Sequence, residues 1–143
     1  SREPNLVIFA AGINDAKYTG SESNPATPPD EFRRNLEELI GQARVFTGNI
    51  VFTGLTRVDE TLTMPLPWSP DEFFSNSKSA EYDSVIRETC IRQGLSFIPV
   101  ADLPDNSDLA DGLHPNPDGY RKMFQRILDF LLDHQYLPKP PNP

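Results

Sequence analysis

A three-layer α/β domain, with a parallel sheet between helices, is the fold class this sequence predicts. Two observations carry that expectation: three short apolar runs without polar alternation, and a helical segment after each of them. Strands covered by helices on both faces read as continuous apolar runs. A strand–helix order repeated three times predicts one parallel sheet with right-handed crossovers.

Residues 5–12, "NLVIFAAG", form the first run and read as a strand buried on both faces. Thr27 with Asp30 three residues later resembles a capping box, and Pro28 or Pro29 suits a first helical turn. Phe32, Leu36, Leu39, Ile40 and Ala43 then recur at helical spacing. The second run is "NIVFTGL" (49–55); the helix after it carries Tyr82, Val85, Ile86 and Cys90, with Gly94 as its C-terminal cap. The third run is "LSFIPV" (95–100). Asn116 can cap the last helix and Pro117 can start it, and Tyr120, Met123, Phe124, Ile127, Leu128, Leu131 and Leu132 make its apolar stripe. The proline-rich residues 137–143 read as an extended tail, so the domain is expected to span 1–136.

Composition narrows the function classes. With 143 residues, 37% hydrophobic and 24% charged, the chain fits one domain with one core. Its 21 acidic against 13 basic side chains give a net charge of -8, and no Lys/Arg run exceeds two. That balance argues against nucleic acid and anionic membranes as partners. Cys90 stands alone and cannot form an internal disulfide, and no run approaches the roughly 18 apolar residues of a transmembrane helix. The chain opens without Met and enters an apolar run within five residues, which leads to the expectation that an upstream part has been removed. Localisation therefore stays open between the cytoplasm and secretion with a removed leader.

Residues 13–27, 56–76 and 101–116 all leave the carboxyl ends of predicted strands, the edge where open α/β sheets bind ligands. Within the last of these, Asp111 precedes His114 by three residues. A carboxylate that accepts Nδ1–H fixes the imidazole tautomer for general acid/base work. In "AGIND", the amide of Asn14 can donate to an oxygen that gains negative charge, and Gly12 lets the backbone turn beside it. Asp, Asn and His are equally ordinary turn and cap residues. Leu113 is expected to wall the site. Trp68, with Met64 and Leu66, lines a pocket or pins its loop, pinning being the commoner use of such residues. His134 is expected to complement a helix C-terminus, and nothing near Cys90 makes it reactive. Asp111, His114 and Asp118 fall short of a zinc set and no phosphate-binding glycine loop occurs, so no cofactor or metal is indicated.

"VIFAAGIND" followed about a hundred residues later by "DGLHPNPDGY" resembles the SGNH, or GDSL-type, esterase/lipase superfamily. The resemblance implies a flavodoxin-like fold and a serine-type acyl ester hydrolase acting on a small-molecule ester. In it Asn14 is an oxyanion donor, His114 the general base, Asp111 its orienting carboxylate, and Asp15 a support of the loop. The family's Gly-Asp-Ser block, which supplies the nucleophile, is missing here. Ser21, Ser69, Ser75, Ser77 and Ser79 all lack its context. The expectation is that these residues are the C-terminal portion of the domain, with the serine and the N-terminal strand or strands upstream. The strand at 5–10 would then show an apolar edge, ready to pair with the missing segment or a second chain. A non-catalytic binding module on the same scaffold is the competing reading, and metal-dependent hydrolysis a third. The ester hydrolysed is not legible, and short-chain esters are the default.

Overall fold

The middle of the sheet is Ile50–Thr53, a β-branched and aromatic run in which every residue is buried. The computed structural model describes residues 4–138. Numbered along the chain, the strands are β1 (Val7–Phe9), β2 (Tyr18–Thr19), β3 (Ile50–Thr53), β4 (Glu72–Phe73) and β5 (Ser96–Ile98). The helices are α1 (Ile13–Ala16), α2 (Pro29–Ala43), α3 (Glu60–Thr63), α4 (Asn76–Gln93) and α5 (Pro117–Asp133), with a 3₁₀ turn at Asn106–Asp108.

The main sheet is parallel and ordered β1-β3-β5. Alternation along β3 sorts the two sides of the core. Ile50 and Phe52 pack with Phe32, Leu36 and Ile40 of α2 and with Tyr82, Val85 and Ile86 of α4. Val51 packs on the other face with Ile98, Val100 and Leu131 of α5. The predicted three-layer α/β/α architecture with a parallel sheet is the observed one.

Several local expectations need correction. The first strand is shorter than the run 5–12 and is not covered on both faces: Ile8 is 40% exposed, and Ala10 and Ala11 are exposed. Among the described residues β1 has only β3 beside it, and Ile8 points to the face where α5 lies under β3 and β5. The capping box at Thr27 does not form: α2 is entered through Pro28 without a side-chain cap, and Pro29 takes its first position. Thr27 is used elsewhere, its carbonyl accepting the Tyr82 hydroxyl. The stripe of α5 is also wider than the surface it covers, since Tyr120 and Phe124 are 57% and 62% exposed. Asn116 does cap α5, accepting the Asp118 and Gly119 amides at 3.0 and 3.1 Å. Gly94 closes α4 at φ +67. Leu137, assigned to the extended tail, packs with the α5 cluster, and residues 139–143 lie outside the described residues. No helix among the described residues is long and apolar enough to cross a membrane.

Gly12 ends the run that starts with β1 and caps α1 at φ +124, a conformation L side chains rarely adopt. A Cβ there would meet Phe32 Cζ at 2.8 Å and Ile86 Cδ1 at 3.3 Å. Gly12→Ala should therefore cost about 2–6 kcal/mol, combining backbone strain of ~1–3 with overpacking of ~1–3. Gly41→Ala, in open space inside α2, should instead stabilise by about 0.5–1 kcal/mol. Urea unfolding of both variants checks the pair, and an equal effect at the two sites would refute the assignment.

Candidate active site

The loop between the 3₁₀ turn and α5 is closed by one carboxylate. Oδ1 of Asp111 accepts the backbone N–H of Leu113 at 3.0 Å and of His114 at 2.8 Å. Its Oδ2 lies 2.8 Å from Nδ1 of His114. A carboxylate only accepts, so Nδ1 carries a proton, and Nε2 points away from Asp111 with no partner among the described residues. The turn-residue reading and the functional reading of Asp111 thus describe the same group. Partial burial raises the Asp111 pKa, but the His114 amide, the His114 ring and the Leu113 amide together outweigh it and hold the carboxyl below its ordinary range.

The loop itself is held in place from behind. The Asp59 amide donates to the Gly112 carbonyl at 2.8 Å, and the Ala110 amide donates to the His114 carbonyl at 2.7 Å. Gly112 sits at φ +86, and a Cβ there would strike Leu62 Cβ at 2.7 Å. That position requires glycine.

Asn14 comes to the same cleft from the other side. It lies on α1, exposed, with its side-chain amide unbonded among the described residues. Together with His114 it lines a cavity of about 190 Å³, whose other walls are Lys17, Leu66, Trp68, Glu72, Phe74 and Leu113. The structure therefore brings Asn14, His114, Leu113 and Trp68 together, with Asp111 one bond behind His114. Gly12 is not among the residues lining this cavity; a Cβ there would point at Phe32 and Ile86. Asp15 supports the adjacent loop through its carbonyl, which accepts the Thr27 amide at 3.2 Å.

Three wall residues, Lys17, Glu72 and Phe74, escaped sequence reasoning. Lys17 and Glu72 form a half-buried ion pair, and Lys17 holds the Glu72 carboxyl below its usual range. They are 55 residues apart and meet because β2 and β4 pair antiparallel, Tyr18 opposite Phe73 with rings 5.3 Å apart. Neither short strand carries a pattern long enough to read. Of the apolar residues in this loop, Leu66 is pinned, at 2% exposure against Val58, Phe74 and Leu113. Trp68 and Met64 are not, at 58% and 40%.

His134 ends α5, its Nδ1 2.9 Å from the Phe130 carbonyl and its ring stacked on Phe130. Cys90 is buried in the core, and burial pushes its thiol up to about 11. No hydroxyl or thiol lines the cavity beside His114 among the described residues.

The profile of the GDSL-like lipase/acylhydrolase family matches residues 1–122. A GDSL-like lipase from Bacteroides thetaiotaomicron is similar in structure at 19% identity and a TM-score of 0.69, over 94% of this chain and 64% of that one. A lipase/acylhydrolase from Enterococcus faecalis gives 21% and 0.71, over 96% and 65%. An acetylxylan esterase from Geobacillus stearothermophilus gives 15% and 0.65, over 89% and 59%. These likenesses establish a shared fold, and the chain spans less than two thirds of the length of each of the three. No curated protein matches it.

Because the folded-state pKa of Asp111 is depressed, its contribution to stability is present above the unfolded value near 3.8 and is lost as pH falls through the folded value. The stability difference between the native chain and Asp111→Asn should be constant above about pH 5 and shrink below about pH 4. Thermal melts across that range check it; a difference that does not change with pH would refute the linkage.

Proposed function

The chain belongs to the GDSL-like lipase/acylhydrolase family, and from that premise we propose that it carries the acid/base and oxyanion half of a serine-type acyl ester hydrolase. The observation that carries the proposal is one cavity lined by both the free amide of Asn14 and the imidazole of His114. His114 Nε2 takes the proton of the attacking serine and returns it to the leaving alcohol, while Asp111 stabilises the imidazolium. Asn14 donates to the oxyanion of the tetrahedral intermediate. The serine is assigned to a segment outside the 143 residues, since none on the cavity wall can serve. One structural neighbour is an acetylxylan esterase, which makes acetyl esters the first to try.

Among the described residues no hydroxyl or thiol lines the cavity, and the competing reading is a binding module without turnover. Hydrolysis of p-nitrophenyl acetate by the full-length protein separates the two. As a hydrolase it should lose about 10³-fold or more in kcat/KM with His114→Ala, and about 10²–10³-fold in kcat with Asn14→Ala. Fluorophosphonate should label it. No turnover and no labelling would leave the binding module.

A further inference from the structure

A second concavity lies away from His114. Beyond β3 the chain turns outward through Leu55, Thr56 and Arg57, and with α4 and Ala101 it encloses about 470 Å³. That volume lies within the range of about 300–1,000 Å³ common for small-molecule sites. No residue of its wall is shared with the His114 cavity.

The sequence of α4 makes the space. Tyr82, Val85, Ile86 and Cys90 occupy the core face of this helix. Ser79, Ala80, Asp83, Ser84 and Arg87 recur at three- and four-residue spacing on a second stripe, where the small side chains leave the surface recessed. The carboxylate and the side-chain amide of this wall are already engaged. Asp83 Oδ1 accepts the Leu55 amide at 2.8 Å, and its Oδ2 is 3.5 Å from Nη2 of Arg87. The Asn76 amide bonds both backbone groups of Val58, at 2.9 and 3.0 Å. The groups left over can donate. Arg57 is exposed and makes no ion pair or hydrogen bond among the described residues. Ser79 is 5% exposed, and its buried Oγ has no partner among them either. Arg87 lies over the Phe97 ring, 5.7 Å from its centroid, and keeps donors beyond the one aimed at Asp83.

Two guanidinium groups against one carboxylate leave a single positive charge in the cavity of a chain whose net charge is -8. We propose that this cavity binds a small organic monocarboxylate. The carboxylate sits between Arg57 and Arg87, whose planar forks suit it, and a compact apolar body rests on Leu55, Ala80 and Ala101. One excess charge matches a monoanion better than a dianionic phosphate. At roughly 30 Å³ per atom the space accommodates about fifteen non-hydrogen atoms. Nothing in this assignment depends on the hydrolase reading.

The test is an amide chemical-shift titration of the full-length protein with 4-phenylbutanoate, its neutral isostere 4-phenylbutanamide, and inorganic phosphate. The acid should shift residues 55–57 and 79–87, with the amide and phosphate binding at least about tenfold more weakly. Arg57→Gln should weaken the acid about tenfold or more while leaving the melting temperature unchanged, since Arg57 holds nothing in the fold; Arg87→Gln should weaken it as well. The assignment is overturned if the acid fails to bind, if the amide or phosphate binds as well as the acid, if Arg57→Gln has no effect, or if the shifts centre on Asn14 and His114. The acid-against-amide comparison uses the unmodified chain and stands whatever the variants do.

Discussion

Each connection that reaches the candidate site starts from the sheet, and the sheet depends on β3. Its four residues are all buried, so its backbone N–H and C=O groups have no water to turn to and must be met by β1 on one side and β5 on the other. That requirement sets three strand ends side by side, in parallel. The alternation of Ile50 and Phe52 with Val51 then assigns α2 and α4 to one face and α5 to the other. The loops carrying Asn14, Arg57 and Asp111 leave one edge of the sheet because of this pairing.

Placement by the sheet is coarse, and two local devices refine it. Asp111 uses one oxygen to close its own turn and the other on the His114 ring, so the orientation of that ring and the fold of its loop cannot be separated. The second device is the pairing of β2 with β4, which ties the long loop after β1 to the long loop after β3. The Lys17–Glu72 ion pair crosses the same seam. Exposed ion pairs contribute little to stability, and a half-buried one contributes modestly. Its consequence here is positional, since it joins two walls of one cavity.

Much of the site was legible because its parts are local in sequence. Asp111 and His114 are three residues apart, and a turn of that length brings carboxylate and ring together without help from the rest of the molecule. Asn14 could be placed because it follows an apolar run by a few residues. The cavity's other walls were not legible. Phe74, Lys17 and Glu72 come from segments whose strands are two residues long, too short for any periodicity. The capping box expected at Thr27 gives way to Pro28 at the cap position, while the Thr27 carbonyl accepts the Tyr82 hydroxyl.

What the sequence determined by itself was the layer order and the residues of the candidate site. Apolar runs without alternation, helical stripes and capping residues are each decided by contacts within a few residues or by burial alone. Tertiary structure decided how much of each apolar surface is covered. Ile8, Tyr120 and Phe124 are as apolar as any core residue, yet stay exposed because coverage depends on which neighbour lies opposite. It decided too that the small and polar stripe of α4 becomes a recess lined with donors, because a hollow is a property of several segments at once.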